Sequence, residues 1–171
     1  MDVSLVDRAA AGDADAFEAL IRPRLTPIYR LCLGLLANQA DAADATQEAL
    51  VAAWRQLPRL RDPASFDPWL RRIAFNACRM SLRHRRAVRE VPVDPRLTAE
   101  QHVGAPAHAP LAEAFAALPL EQRAILVLHH LDGTPLAEIA TLLDIPVGTV
   151  KSRLHTARRA LATAVVEATE P

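Results

Sequence analysis

The residues of this sequence best suited to chemistry are donors and cations spaced for display on helices, not groups paired for bond-making. Between Gly148 and Arg159, the side chains of Thr149, Lys151, Ser152, His155, Arg158 and Arg159 offer hydroxyls, an imidazole and positive charge to phosphates and base edges. A second set, Arg72, Asn76, Arg79, Arg83 and Arg86, recurs at three- and four-residue steps. That spacing puts four guanidinium groups and one amide on the same side of a helix. The histidines have no paired nucleophile, and His129-His130 reads as a helix edge. Cys32 and Cys78 stand alone, with no CxxC and no metal-like Cys/His spacing, and are expected to be reduced packing residues. The pattern implies no catalytic site, no metal, no cofactor and no small-molecule substrate. It implies polyanion binding.

Charge distribution supports this. The 20 basic and 20 acidic residues cancel over the chain, yet residues 55–89 hold ten arginines against two acids. Residues 1–54 hold four basic and eight acidic residues, and 90–142 two and seven. A basic block inside a neutral chain suggests one surface built for phosphates and others built for something else. Apolar residues make up 51% and aromatics only 4%, with five glycines, which favours helices packed through Leu, Ala, Ile and Val. The fold class expected is all-α.

Stepping along the chain, Ser4 and Asp7 resemble a capping box for a short helix that stops near Gly12. Phe17, Leu20, Ile21, Leu25, Ile28, Cys32 and Leu35 form one buried stripe, bent around Pro23 and Pro27. Asp41 is expected to cap a helix carrying Leu50, Val51, Trp54 and Leu57, ended by Pro58. Asp67-Pro68 is expected to open a long helix to about Val88, packed through Leu70, Ile73 and Ala77 and basic on another side. Residues 89–110 carry four prolines and little periodicity, which suggests a flexible linker.

Beyond it, Leu111, Phe115 and Leu118 mark one helix, and Ile125, Leu126, Leu128 and His129 the next. Thr134 is expected to cap a helix that begins at Pro135 and runs to Leu143. Asp144-Ile145-Pro146 then turns the chain into a second helix near Val147. Leu136, Ile139, Ala140, Leu143, Ile145, Val150 and Leu154 would lock the two together, which is helix-turn-helix spacing.

The stretch "LPLEQRAILVLHHLDGTPLAEIATLLDIPVGTVKSRLHTARRAL" (118–161) resembles region 4 of the extracytoplasmic-function sigma factors, the smallest group of the sigma-70 family. "DAADATQEALVAAWRQL" (41–57) and "FDPWLRRIAFNACRMSLRHRR" (66–86) resemble region 2 of the same family. The resemblance implies two small helical domains: region 2 over 1–88, the linker 89–110 and region 4 over 111–171. It implies core RNA polymerase and promoter DNA as partners. Region 2 would clamp the β′ coiled coil and capture the −10 element, while region 4 would rest on the β flap and read the −35 element. An anti-sigma factor is implied as a further partner, and the location as cytoplasmic, with membrane tethering through such an inhibitor.

Position by position, the resemblance assigns Asp41, Asp44, Gln47 and Glu48 to the polymerase coiled coil. Asn76 falls beside a flipped −10 base, with Arg71, Arg72, Arg79 and Arg83 on flanking phosphates. Thr149, Lys151, Ser152 and His155 face the −35 groove, and Arg158 a phosphate. Trp69 reads as core. Three residues depart from the family pattern: Asp144 stands where the turn usually has Gly, Thr156 where Arg is common, and Leu60 where an aromatic is frequent. Two rival readings remain on the sequence. One is a stand-alone helix-turn-helix regulator of duplex operators; the other is a sigma-like module that only sequesters polymerase or a partner.

Overall fold

The computed structural model describes residues 3–89 and 109–169, and among them every regular element is helical. The expected linker, 89–110, lies almost wholly outside the described residues. Helix α1 (Val3–Ala10) ends before Gly12, whose φ of 96° lets the chain turn into α2 (Ala14–Ile21). Ser4 sits inside α1 and not at its cap. The capping residue in this segment is Asp13, which accepts from the Ala16 amide at 3.0 Å and starts α2.

A 3₁₀ turn at Arg22–Arg24 accommodates Pro23, and α3 (Leu25–Leu36) continues the same stripe, with Pro27 in its first turn. Asn38 caps α4 (Gln39–Gln56) by accepting from the Asp41 amide at 3.0 Å. Asp41 is therefore a first-turn residue, favoured there by the helix dipole.

Helix α4 packs through Ala42, Ala45, Ala49 and Ala53, each at most 1% exposed. Small side chains at these three- and four-residue steps let α3 and α5 approach closely. Pro58 falls in a 3₁₀ turn, Leu57–Arg59, that ends α4. A further 3₁₀ turn, Pro63–Ser65, capped by Asp62, leads into α5 (Phe66–Arg89). Asp67 does not cap α5. Its carboxylate takes Arg24 from the 3₁₀ turn before α3, and the Arg24 guanidinium lies 5.2 Å from the centre of the fully buried Phe66 ring.

Helices α6 (Ala109–Ala117), α7 (Leu120–Leu126), α8 (Leu136–Leu143) and α9 (Val147–Thr169) form the C-terminal unit. Helix α7 ends in a wide turn, Val127–Leu131, whose Asp132 amide bonds back to the Val127 carbonyl five residues earlier. Ile125, Leu128, Ile139, Val150 and Ala157 are fully buried between α7, α8 and α9. Thr134 is buried, but its hydroxyl does not cap α8: Pro135 holds the capping position, and the Thr134 amide bonds to the Leu128 carbonyl at 2.8 Å. Asp144 takes the left-handed conformation the turn demands, φ 55° and ψ 50°.

Candidate nucleic-acid and partner interfaces

The basic face of α5 forms as its periodicity requires. Leu70, Ala74 and Cys78 point into the core, so Arg72, Asn76, Arg79 and Arg83 emerge together into solvent. An amide flanked by guanidinium groups can read a base edge while its neighbours hold the backbone. Arg71 is not part of this face. It turns toward the C-terminal unit, where its Nη1 bonds to Glu138 Oε1 at 2.8 Å and its Nε stands 4.0 Å from Asp132 Oδ2. Trp69 is half-buried with its ring 5.6 Å from that of Phe66, as a core residue should be.

Asp44, Gln47 and Glu48 are exposed on α4, but they do not share one groove. Gln47 lines an apolar groove of about 500 Å³ toward α3, with Leu25, Thr26, Tyr29, Ala43, Thr46 and Leu50. Glu48 lies on the other flank, in a groove of about 240 Å³ that also holds Gln56, Asn76 and Met80. Asp41 is half-buried and pairs with Arg85 of α5 at 2.8 Å, so it ties α4 to α5. The sequence reading missed the apolar part of this surface. Leu25, Val51 and Trp54 are 45%, 44% and 36% exposed around the acidic and amide groups. The signal was present, because Val51 and Trp54 fall off the alanine stripe that defines the buried side of α4.

In the helix-turn-helix, α8 packs on α9, and Lys151, Ser152, His155 and Arg158 stand exposed on the N-terminal half of α9. Thr149 is half-buried, and its carbonyl accepts from the Ser152 hydroxyl at 3.0 Å. Arg158 donates through Nε to His130 Nε2 at 3.1 Å, which orients the guanidinium. Loss of hydration, followed by the positive charge of Arg158 and the neighbouring His129, holds the His130 imidazole below its ordinary range. Arg153 pairs with Glu121 and so braces α9 against α7 rather than facing outward.

Cys32 and Cys78, far apart in sequence, meet between α3 and α5. The hydrogen bond they share, and then burial, push the Cys78 thiol well above its usual range, so it stays a neutral donor. Among the described residues no cluster of His, Cys, Asp and Glu could hold a metal, and no helix is long and apolar enough to cross a membrane.

A chain all-α among its described residues, with an exposed second helix in a helix-turn-helix, falls in the helix-turn-helix class of DNA-binding proteins. Comparison with known families agrees. Residues 20–88 match sigma-70 region 2, and residues 108–161 match sigma-70 region 4. The chain is 35% identical to the ECF RNA polymerase sigma factor SigM of Mycobacterium tuberculosis, over 94% of this chain and 83% of that protein. It is 33% identical to the RNA polymerase sigma-H factor of Pseudomonas aeruginosa, over 94% and 91%. Among solved structures, CnrH in complex with the cytosolic domain of CnrY superposes with a TM-score of 0.73 at 28% identity, covering 99% of both chains.

The chain belongs to the extracytoplasmic-function group of the sigma-70 family and is an RNA polymerase sigma factor. The match over region 2 sets aside the stand-alone operator-binding regulator, which has no need of that domain.

Proposed function

We propose that this factor docks on core polymerase through α4, captures the unpaired −10 strand on the outward face of α5, and reads the −35 duplex with α9. The observation that carries the reading is the exposed set Arg72, Asn76, Arg79 and Arg83, an amide set among cations on one helix face. Base extrusion exposes the hydrogen-bonding edge that Asn76 can read, and the binding of such bases offsets the cost of melting.

The polymerase contact combines Asp44, Gln47 and Glu48 with the exposed Leu25, Val51 and Trp54, a mixed polar and apolar surface suited to a protein partner. Asp41 supports it indirectly, by fixing α4 to α5. Lys151, Ser152 and His155 contact the −35 groove, with Thr149 supporting the turn and Arg158 on a phosphate. Regions 1–88 and 111–171 are the two functional units, and 89–110 connects them. The factor contributes binding energy only, and nucleotidyl transfer belongs to polymerase. It works in the cytoplasm, and an anti-sigma factor restrains it.

The test is to mix the full chain with bacterial core polymerase, follow co-elution, and transcribe a promoter library. Co-elution with initiation from templates sharing two spaced elements is expected. Co-elution without transcripts from any template overturns promoter recognition in favour of sequestration. The Asn76→Ala variant should still co-elute but lose permanganate reactivity at the −10 site; normal reactivity removes Asn76 from the mechanism.

A further inference from the structure

The wide turn that closes α7 brings two imidazoles to the side of α9. Its backbone bonds run from the Asp132 amide to the Val127 carbonyl and from the Thr134 amide to the Leu128 carbonyl, longer steps than an α-helix uses. His129 Nδ1 lies 3.3 Å from the Thr134 carbonyl oxygen, which can only accept, so the bond requires the proton on this nitrogen. The rings of His129 and His130 meet edge to face, their centres 5.0 Å apart and their planes at 61°. One imidazole is thereby tied to the loop before α8, and the second leans on the first. His130 Nε2 then receives the Nε–H of Arg158, on α9, at 3.1 Å.

A guanidinium can only donate, so this contact requires a neutral His130 with a lone pair at Nε2. It uses the Nε–H and leaves both Nη nitrogens of Arg158 for an anion from outside. A carboxylate is the other way to orient an arginine, and α9 shows it too: Glu121 holds Arg153 and at the same time offsets its charge. Among the described residues no carboxylate pairs with Arg158, whose partner is an uncharged ring. A neutral acceptor fixes the fork and leaves the full positive charge for a phosphate. Ordering the side chain beforehand also lowers the entropy cost of the contact.

We infer that His130 is a positioning residue for −35 recognition: as a neutral acceptor, it holds the Arg158 guanidinium ready for a backbone phosphate of the duplex. The inference rests on the reading of α9 as the −35 helix and of Arg158 as a phosphate contact. Proton uptake by His130 would replace the Nε2 lone pair with an N–H facing the N–H of Arg158, and the pair must then open. The groups facing His130 are Arg158 from α9 and His129 in its own turn, while Asp132 turns toward Arg71 of α5. Lost hydration, then these two neighbours, hold its pKa below the ordinary 6.5. The positioning is therefore complete at neutral pH and is lost as pH falls beneath that value.

The full chain is assembled with core polymerase and titrated against a fluorescein-labelled promoter duplex recovered from the library. His130→Gln, His130→Leu, Arg158→Ala and the double variant Arg158→Ala with His130→Leu are treated alike. Gln restores a neutral acceptor, whereas Leu fills similar space without one. His130→Leu should weaken binding about threefold at pH 7.5, the scale of one solvent-accessible hydrogen bond, and His130→Gln should stay close to the parent. In the Arg158→Ala background, His130→Leu should have no further effect, because it acts only through the guanidinium. Between pH 7.5 and 5.5 the parent should lose about threefold in affinity relative to His130→Gln, with His155 common to both proteins.

Unchanged binding by His130→Leu, equal losses in the Leu and Gln variants, or a loss that persists without Arg158 overturns the positioning role. A parent that gains affinity over His130→Gln at low pH also overturns it, since His130 would then be a phosphate contact in its own right. Should His130→Leu fail to fold, judged by circular dichroism, the pH profile of the parent against His130→Gln decides alone. Failure of the underlying reading is separate: Arg158→Ala would then bind the duplex as well as the parent does.

Discussion

Ala37 and Asp144 both occupy the left-handed backbone region, at φ 53° and 55°, one closing α3 and the other turning α8 into α9. Glycine is the usual solution there because a Cβ crowds the following carbonyl. Asp tolerates the conformation better than Ala, so the two sites should respond unequally. Ala37→Gly should stabilise the protein by about 1 kcal/mol, and Asp144→Gly by about half as much, in urea unfolding.

His130 adds a pH dependence. Lost hydration, then the charge of Arg158 facing it from α9 and His129 beside it in its own turn, disfavour its protonation in the folded state. Its folded pKa lies below the unfolded value of 6.5, so its contribution is present above pH 6.5 and is lost as pH falls below it. Melting temperature should therefore fall between pH 7.5 and 5.5, and His130→Gln, which keeps an acceptor for Arg158 but cannot titrate, should flatten that dependence. An identical slope in the two proteins would remove His130 from the account.

Helix α4 shows how an element is built for two tasks. Its alanine stripe buries one side tightly, while Asp44, Gln47, Glu48, Val51 and Trp54 leave the rest for partners. Its start depends on Asn38, because the first-turn amides have no intrahelical acceptors and the Asn38 side chain supplies one. Asn38→Ala should cost about 1 kcal/mol in chemical unfolding without changing co-elution with polymerase. Ala49→Leu should cost about 1–3 kcal/mol, since added methylenes in a fully buried site force α3 and α5 apart. If Ala49→Leu were neutral, the helices would be looser than the alanine spacing indicates.

For the molecule as a whole, buried residues run without interruption from α1 into α9, and α3 and α5 touch α7 and α8 directly. Two units sharing apolar surface and the Arg71 ion pairs should unfold together. Calorimetry at low ionic strength should give one transition whose van't Hoff and calorimetric enthalpies agree, and Arg71→Ala should lower its midpoint without dividing it. Two transitions in the parent protein would mean that the units are energetically independent.

The helical class, the helix-turn-helix and the basic face of α5 were legible in the sequence because each depends on local spacing. Leu70, Ala74 and Cys78 bury one side of α5, and geometry alone then turns Arg72, Asn76, Arg79 and Arg83 outward. Caps were less legible. Several polar residues near each helix start compete for the same amides, so Asn38 displaced Asp41 and the hydroxyl of Thr134 was buried.

What spacing within one segment could not supply was partnership across segments. Arg71 carries the same charge as Arg72 but faces Glu138, 67 residues away, and Cys32 meets Cys78 only because α3 crosses α5. Gln47 and Glu48, adjacent in sequence, serve different grooves because α3 and α5 flank α4 on opposite sides. Periodicity determines which side of a helix is buried; only the packed neighbours decide what each exposed side chain meets.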